Sequence, residues 1–105
     1  MLWLMAQLLV WIVSLPEMEP PPQAGVLLRE GGVVELVLCA VRHGAARGTV
    51  LSFRPQGATL TWQDGAHAEF DPFVTGRTII RLQDASGAPD PALAEAMAEW
   101  LEGCP

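Results

Sequence analysis

The chain has 105 residues and a formal net charge of -6, and its six basic side chains are all arginine. Phosphate binding needs clustered positive charge, so this balance reads against nucleic acid and against docking on an anionic membrane through a basic patch. The length suits one domain, and half of the residues are apolar, although a domain this small has much surface for its volume. Lysine, asparagine and tyrosine are absent, which is the usage of a GC-rich bacterial genome rather than the mark of a function.

Met1 to Leu15 read MLWLMAQLLVWIVSL, with Gln7 and Ser14 as the only polar residues and no charged side chain before Glu17. As a helix this segment would reach about 22 Å, against roughly 30 Å of hydrocarbon in a bilayer. It lacks the basic n-region and small-residue cleavage pattern of a signal peptide. Three readings stay open: a membrane anchor or uncleaved signal-like segment, a helix docked on protein, or a strand around Leu8–Val13. A native start at Met18 is a further alternative. Leu2, Trp3, Leu4, Leu8, Leu9, Trp11 and Ile12 are the expected contacts with a partner or with lipid. Residues 16–24 are Pro-rich and read as an extended, semi-rigid linker. Residues 25–105 then form a β-rich domain.

Within that domain the turn residues punctuate short strands. Glu30-Gly31-Gly32 reads as a hairpin turn pairing Leu28 with Val34 and Val26 with Leu36. Val33 to Arg42 (VVELVLCAVR) reads as the longest strand, mostly apolar on both faces and hence covered on both sides. Gly48 to Arg54 returns after the loop 43–47, with Arg54 placed opposite Glu35. Pro55 to Ala58 is a turn in which Gly57 permits positive φ. Leu60 and Trp62 then oppose Phe53 and Leu51. Gln63-Asp64-Gly65 suits a type I turn with a bulge. It pairs Leu60 with Ala68 on the core face, and Thr61 with His67 and Thr59 with Glu69 on the outer face. Arg77 to Leu82 is a further strand.

A helix over 91–102 closes the chain. Asp90 suits its N-cap, Pro91 its first position and Gly103 its C-cap. Leu93, Met97, Trp100 and Leu101 form the buried stripe. The architecture expected is mainly β (α+β): a small curled antiparallel meander or barrel of roughly five or six short strands, with this C-terminal helix and an apolar, helical N-terminal segment.

Chemistry-bearing residues are sparse. His67-Ala68-Glu69 matches the H-x-E of zinc deaminases, but the two downstream thiolate ligands are missing. His67 and Glu69 therefore read as residues of a solvent-facing strand, available to Arg81 or other surface charges, and these three are the weakest of the site candidates. His43 reads as a turn histidine. Cys39 and Cys104 read as unpaired thiols; a disulfide between them would imply an oxidising compartment. The acidic residues match no calcium loop, and there is no phosphate-binding loop or nucleophile elbow. No catalytic residue, metal site or cofactor is expected.

Gly48 to Leu82, with its GTVLSF return strand, short turns and final RTIIRL strand, resembles an Sm-type small barrel. That resemblance implies ring assembly and RNA binding, whereas the acidic charge reads against RNA.

The function expected is a non-enzymatic interaction module, an accessory or structural subunit of a larger assembly. The alternative is a membrane-tethered β-domain acting as a binding head. A small ligand binder or enzyme and an Sm-like RNA-binding barrel rank below these. A protein partner or self-association is expected, a membrane contact through residues 1–15 is the alternative, and the location is cytoplasmic or membrane-associated.

Overall fold

The structure is a computed structural model that describes residues 24–45 and 49–104. Residues 1–15 and their expected contacts lie outside the described residues. The described elements are β1 (Val26–Glu30), α1 (Val33–Ala40), a π-helical turn (Val41–Ala45), β2 (Val50–Phe53), β3 (Ala58–Thr61), β4 (His67–Pro72), β5 (Arg77–Gln83) and α2 (Pro91–Glu102).

The strands form one open antiparallel sheet in the order β1-β5-β4-β3-β2. It is not a closed barrel. The sheet has one apolar face, Ala58, Leu60, Ala68, Phe70, Ile80 and Leu82, all fully buried. Both helices lie on that face. Val37, Ala40, Ala94, Met97 and Leu101 complete the core from the helical side.

Val33–Ala40 is a helix, which corrects the strand expected there. A run that is apolar but for Glu35 does not distinguish the two by periodicity, and its β-branched valines favour a strand reading. The spacing of its core residues is nevertheless helical. Leu36, Val37 and Ala40 are buried and Val33 packs beside them, whereas Val34, Glu35 and Leu38 are exposed. One helix face is enough to cover the sheet, so the second apolar face needs no second layer.

The helix displaces the hairpin expected at Glu30–Gly32. Gly31, at a φ of 114°, turns the chain out of β1, and Gly32 stands at the N-cap. β1 pairs instead with the last strand, β5, with Leu27 opposite Ile80 and Glu30 opposite Arg77. The expected Glu35–Arg54 pair is absent for the same reason: Glu35 is on α1, and Arg54 bonds Asp71.

The β3–β4 hairpin has the expected register. Leu60 faces Ala68, Thr59 faces Glu69 and Thr61 faces His67, and the Trp62 N–H donates to the Ala66 carbonyl at 2.8 Å. Gly65 has the left-handed φ that the turn demands. The β2–β3 register is two residues from expectation: Leu51 faces Leu60, and Phe53 faces Ala58. The loop there is tighter than expected, because Arg54 and Gly57 already pair, through a 2.8 Å bond from the Arg54 N–H to the Gly57 carbonyl. A slip of two residues preserves the buried face, so the alternation of apolar residues did not select between the registers.

α2 begins at Asp90, whose carboxylate accepts the Leu93 N–H at 3.0 Å. Its Trp100 stacks on Trp62, with ring centroids 6.2 Å apart, tying the helix to the end of β3.

Candidate functional site

The outer face of the sheet is polar, because alternation along each strand sends apolar residues to the helices and the others to solvent. Across β3, β4 and β5 this face carries Thr59, Glu69 and Arg81 in one row, and Thr61, His67 and Gln83 in the next. The register thus brings His67, Glu69 and Arg81 onto one surface. It does not make them converge. The His67 ring bonds Gln83, with Nε2 2.7 Å from Oε1, and its Nδ1 lies 3.3 Å from the Gly65 carbonyl. Arg81 reaches past Glu69 to donate to Asp71 at 3.2 Å.

Asp71 also receives Arg54, Nη1 to Oδ1, at 2.8 Å. The Arg54 guanidinium makes three further bonds, to Thr59 Oγ1 and to the carbonyls of Ala58 and Phe70. These bonds fasten the β2–β3 turn to β4. The outer-face arginines Arg54 and Arg81 are therefore occupied in holding strands together.

The other arrangement lies at the end of the helical layer. Cys39, near the end of α1, and Cys104, just past α2, form a disulfide with Cα atoms 6.0 Å apart. This corrects the reading of two unpaired thiols. As a strand residue Cys39 had no reason to approach the C-terminus; as a helix residue beside the buried stripe it faces the end of α2. Once the helix is given, the buried 33/36/37/40 stripe puts Cys39 on its flank; the apolar run alone does not pick out those positions. His43, on the π-helical turn, lies over Gly103: a Cβ added there would stand 3.2 Å from the imidazole. The disulfide, Glu35, Arg42 and His43 border an open cleft of about 460 Å³.

A second shallow cleft, of about 400 Å³, opens between the start of α1 and the β4–β5 turn. Val34, Phe73 and Val74 line it and are about half exposed. Among the described residues, no three His, Cys, Asp or Glu side chains stand together to hold a metal ion. Nor is any helix among them long and apolar enough to cross a membrane.

Asp84 is the one described group with a resolved shift in acidity. Its Oδ1 accepts the Ser86 hydroxyl at 2.6 Å and the N–H groups of Ser86 and Ala88 at 2.9 and 3.0 Å. The Ser86 hydroxyl, first among these donors, and the Ala88 N–H lower its pKa below the usual carboxylate range. It organises the β5–α2 loop.

No family model matches this chain, and no curated protein matches it.

Proposed function

We propose that this protein is a non-enzymatic interaction module of an oxidising compartment, a small binding head held at a membrane by its apolar first fifteen residues. The disulfide between Cys39 and Cys104 carries this reading. Such bonds persist where thiols are not kept reduced, and small domains with limited cores use them as staples. A cytoplasmic location sits poorly with a disulfide that spans 65 residues of sequence and ties the two helices together.

The remaining support comes from sequence. Met1 to Leu15 carry no charged side chain, and the Pro-rich residues 16–24 suit a spacer between a bilayer and the domain. The arginines of the outer sheet face bond neighbouring strands, which favours a binding surface over a catalytic cleft.

Two measurements on the full chain test the proposal. In intact cells, a membrane-permeant maleimide should leave Cys39 and Cys104 unlabelled unless reductant is added first. The chain should sediment with membranes, and replacing Trp3, Leu8 and Trp11 together by aspartate should release it. Thiols that label without reductant would remove the compartment, and sedimentation unchanged by the aspartates would remove the tether.

A further inference from the structure

The two edges of the sheet are built differently. In an antiparallel ladder the N–H and C=O of one residue point to the same side, and successive residues alternate sides. On β1, Gly31 donates to Gly76 at 2.8 Å and Gly25 accepts from Leu82 at 2.7 Å. The odd-numbered residues of β1 therefore face β5, and Val26, Leu28 and Glu30 present their backbone groups to the open edge. That edge is guarded. The Arg29 guanidinium folds back and donates to the Leu28 carbonyl at 2.8 Å, and Glu30, although it accepts from Arg77 of β5, is largely exposed and adds a second charge. Charged side chains at an edge discourage strand addition.

On β2, the Arg54 N–H donates to Gly57. By the same alternation Ser52 and Val50 face β3, and the backbone groups of Leu51 and Phe53 point to the open edge. No described residue pairs with them. The strand Val50-Leu51-Ser52-Phe53 has no charge and no proline, in a chain of net charge -6. Its neighbour Arg54 directs its guanidinium inward to β3 and β4. α1 rests over β3 and β4 and α2 over β5 and β1, so β2 lies beyond the main helical contacts. Phe53, on the helix side of the sheet by its pairing with Ala58, is 57% exposed.

We infer that the open edge of β2 pairs antiparallel with β2 of a second copy of this chain, about a twofold axis through Ser52. The strand is complementary to itself in this register. Leu51 of each copy faces Phe53 of the other, and each donates to and accepts from its partner with the backbone groups left open. Both residues lie on the helix side, so the exposed Phe53 of each copy is covered by the half-buried Leu51 of the other. The helical layers of the two copies stay on the same face of one continuous sheet. A twofold interface of this kind closes on itself and leaves outward only the guarded β1 edges. The inference does not depend on the membrane tether or the compartment.

The register gives the test. The two Ser52 residues form a non-hydrogen-bonded pair, with Cα atoms about 4.5 Å apart, inside the range a disulfide bridges. The full chain carrying Ser52→Cys, in detergent solution under mild oxidation, should run as a covalent dimer on a non-reducing gel. Val26→Cys, on the guarded edge, should stay monomeric. Adding Phe53→Lys to Ser52→Cys should abolish the dimer with the circular dichroism spectrum unchanged. A monomeric Ser52→Cys chain, a dimer that survives Phe53→Lys, or equal cross-linking at Val26 would overturn the inference. So would capture of a different polypeptide at Ser52 in place of a second copy.

Discussion

The Arg54 guanidinium donates to the Asp71 carboxylate at 2.8 Å across two strands, and Gly57 lies directly beneath the contact. A Cβ on Gly57 would fall 2.5 Å from the Phe70 carbonyl, 2.6 Å from Asp71 Oδ1 and 2.9 Å from Arg54 Nη2. The expectation that this glycine serves a positive φ is corrected: its φ is not positive, and the requirement is for space. Gly57→Ala should cost about 1–3 kcal/mol, as overpacking does. The nearest atom is a backbone carbonyl, so Arg54→Ala should not relieve the strain. Urea denaturation of the single and double variants checks both statements.

Arg54 and Asp71 are partly exposed, with side chains 40% and 24% accessible, so their ion pair is screened. Arg54→Ala should cost about 1 kcal/mol, mostly through the bonds to the Ala58 and Phe70 carbonyls. Asp71→Asn should cost less, about 0.5 kcal/mol, and that cost should shrink in high salt. Thermal melts at two ionic strengths separate the contributions.

Reduction should weaken the domain far more than either change. A disulfide closing a loop of this length contributes about 2–4 kcal/mol, a large share of the stability of a small domain. Cys39→Ser with Cys104→Ser should lower the melting temperature by the same amount as reductant does on the native chain. A chain whose melting temperature ignores reductant would show that the bond contributes nothing to stability.

Acid should act on the β5–α2 loop through Asp84. Its pKa is lowered in the folded chain, so the stabilising contribution is present above the ordinary aspartate pKa and is lost as pH falls through the folded value. Ser86→Ala removes the first of the donors and should raise the Asp84 pKa toward that ordinary range. Carboxyl chemical shifts followed through an acid titration report the change directly.

Phe70 is fully buried where β4 crosses the helices. Phe70→Ala should cost about 3–5 kcal/mol, the range for an emptied aromatic site. The near-ultraviolet circular dichroism of the Trp62–Trp100 stack should fall with it, because helix and sheet share this core.

Local chemistry was legible wherever neighbours in sequence are neighbours in space. Gln63-Asp64-Gly65 carries its turn type, and with it the register of β3 and β4. Asp90, Pro91 and Gly103 mark the ends of α2 by the donors they satisfy or omit. The hairpin register puts His67 and Glu69 on the outer face, whereas Arg81 joins them only through the pairing of β4 with β5. Their actual partners, Gln83 and Asp71, depend on where β5 lies, which no nearby residue states.

By itself, then, the sequence determined the short strands after residue 50, the closing helix, the acidic surface and the charge-free run at the N-terminus. Tertiary structure decided the rest. A largely apolar octapeptide, Val33–Ala40, can bury one face as a helix or most of both as a strand, and the choice depends on whether an open sheet face needs covering. Once the helix lies on that face, β1 is free to pair with β5, Cys39 meets Cys104, and β2 is left at an uncovered edge. Each of these contacts joins residues far apart in sequence, where spacing has no bearing and burial alone selects the partner.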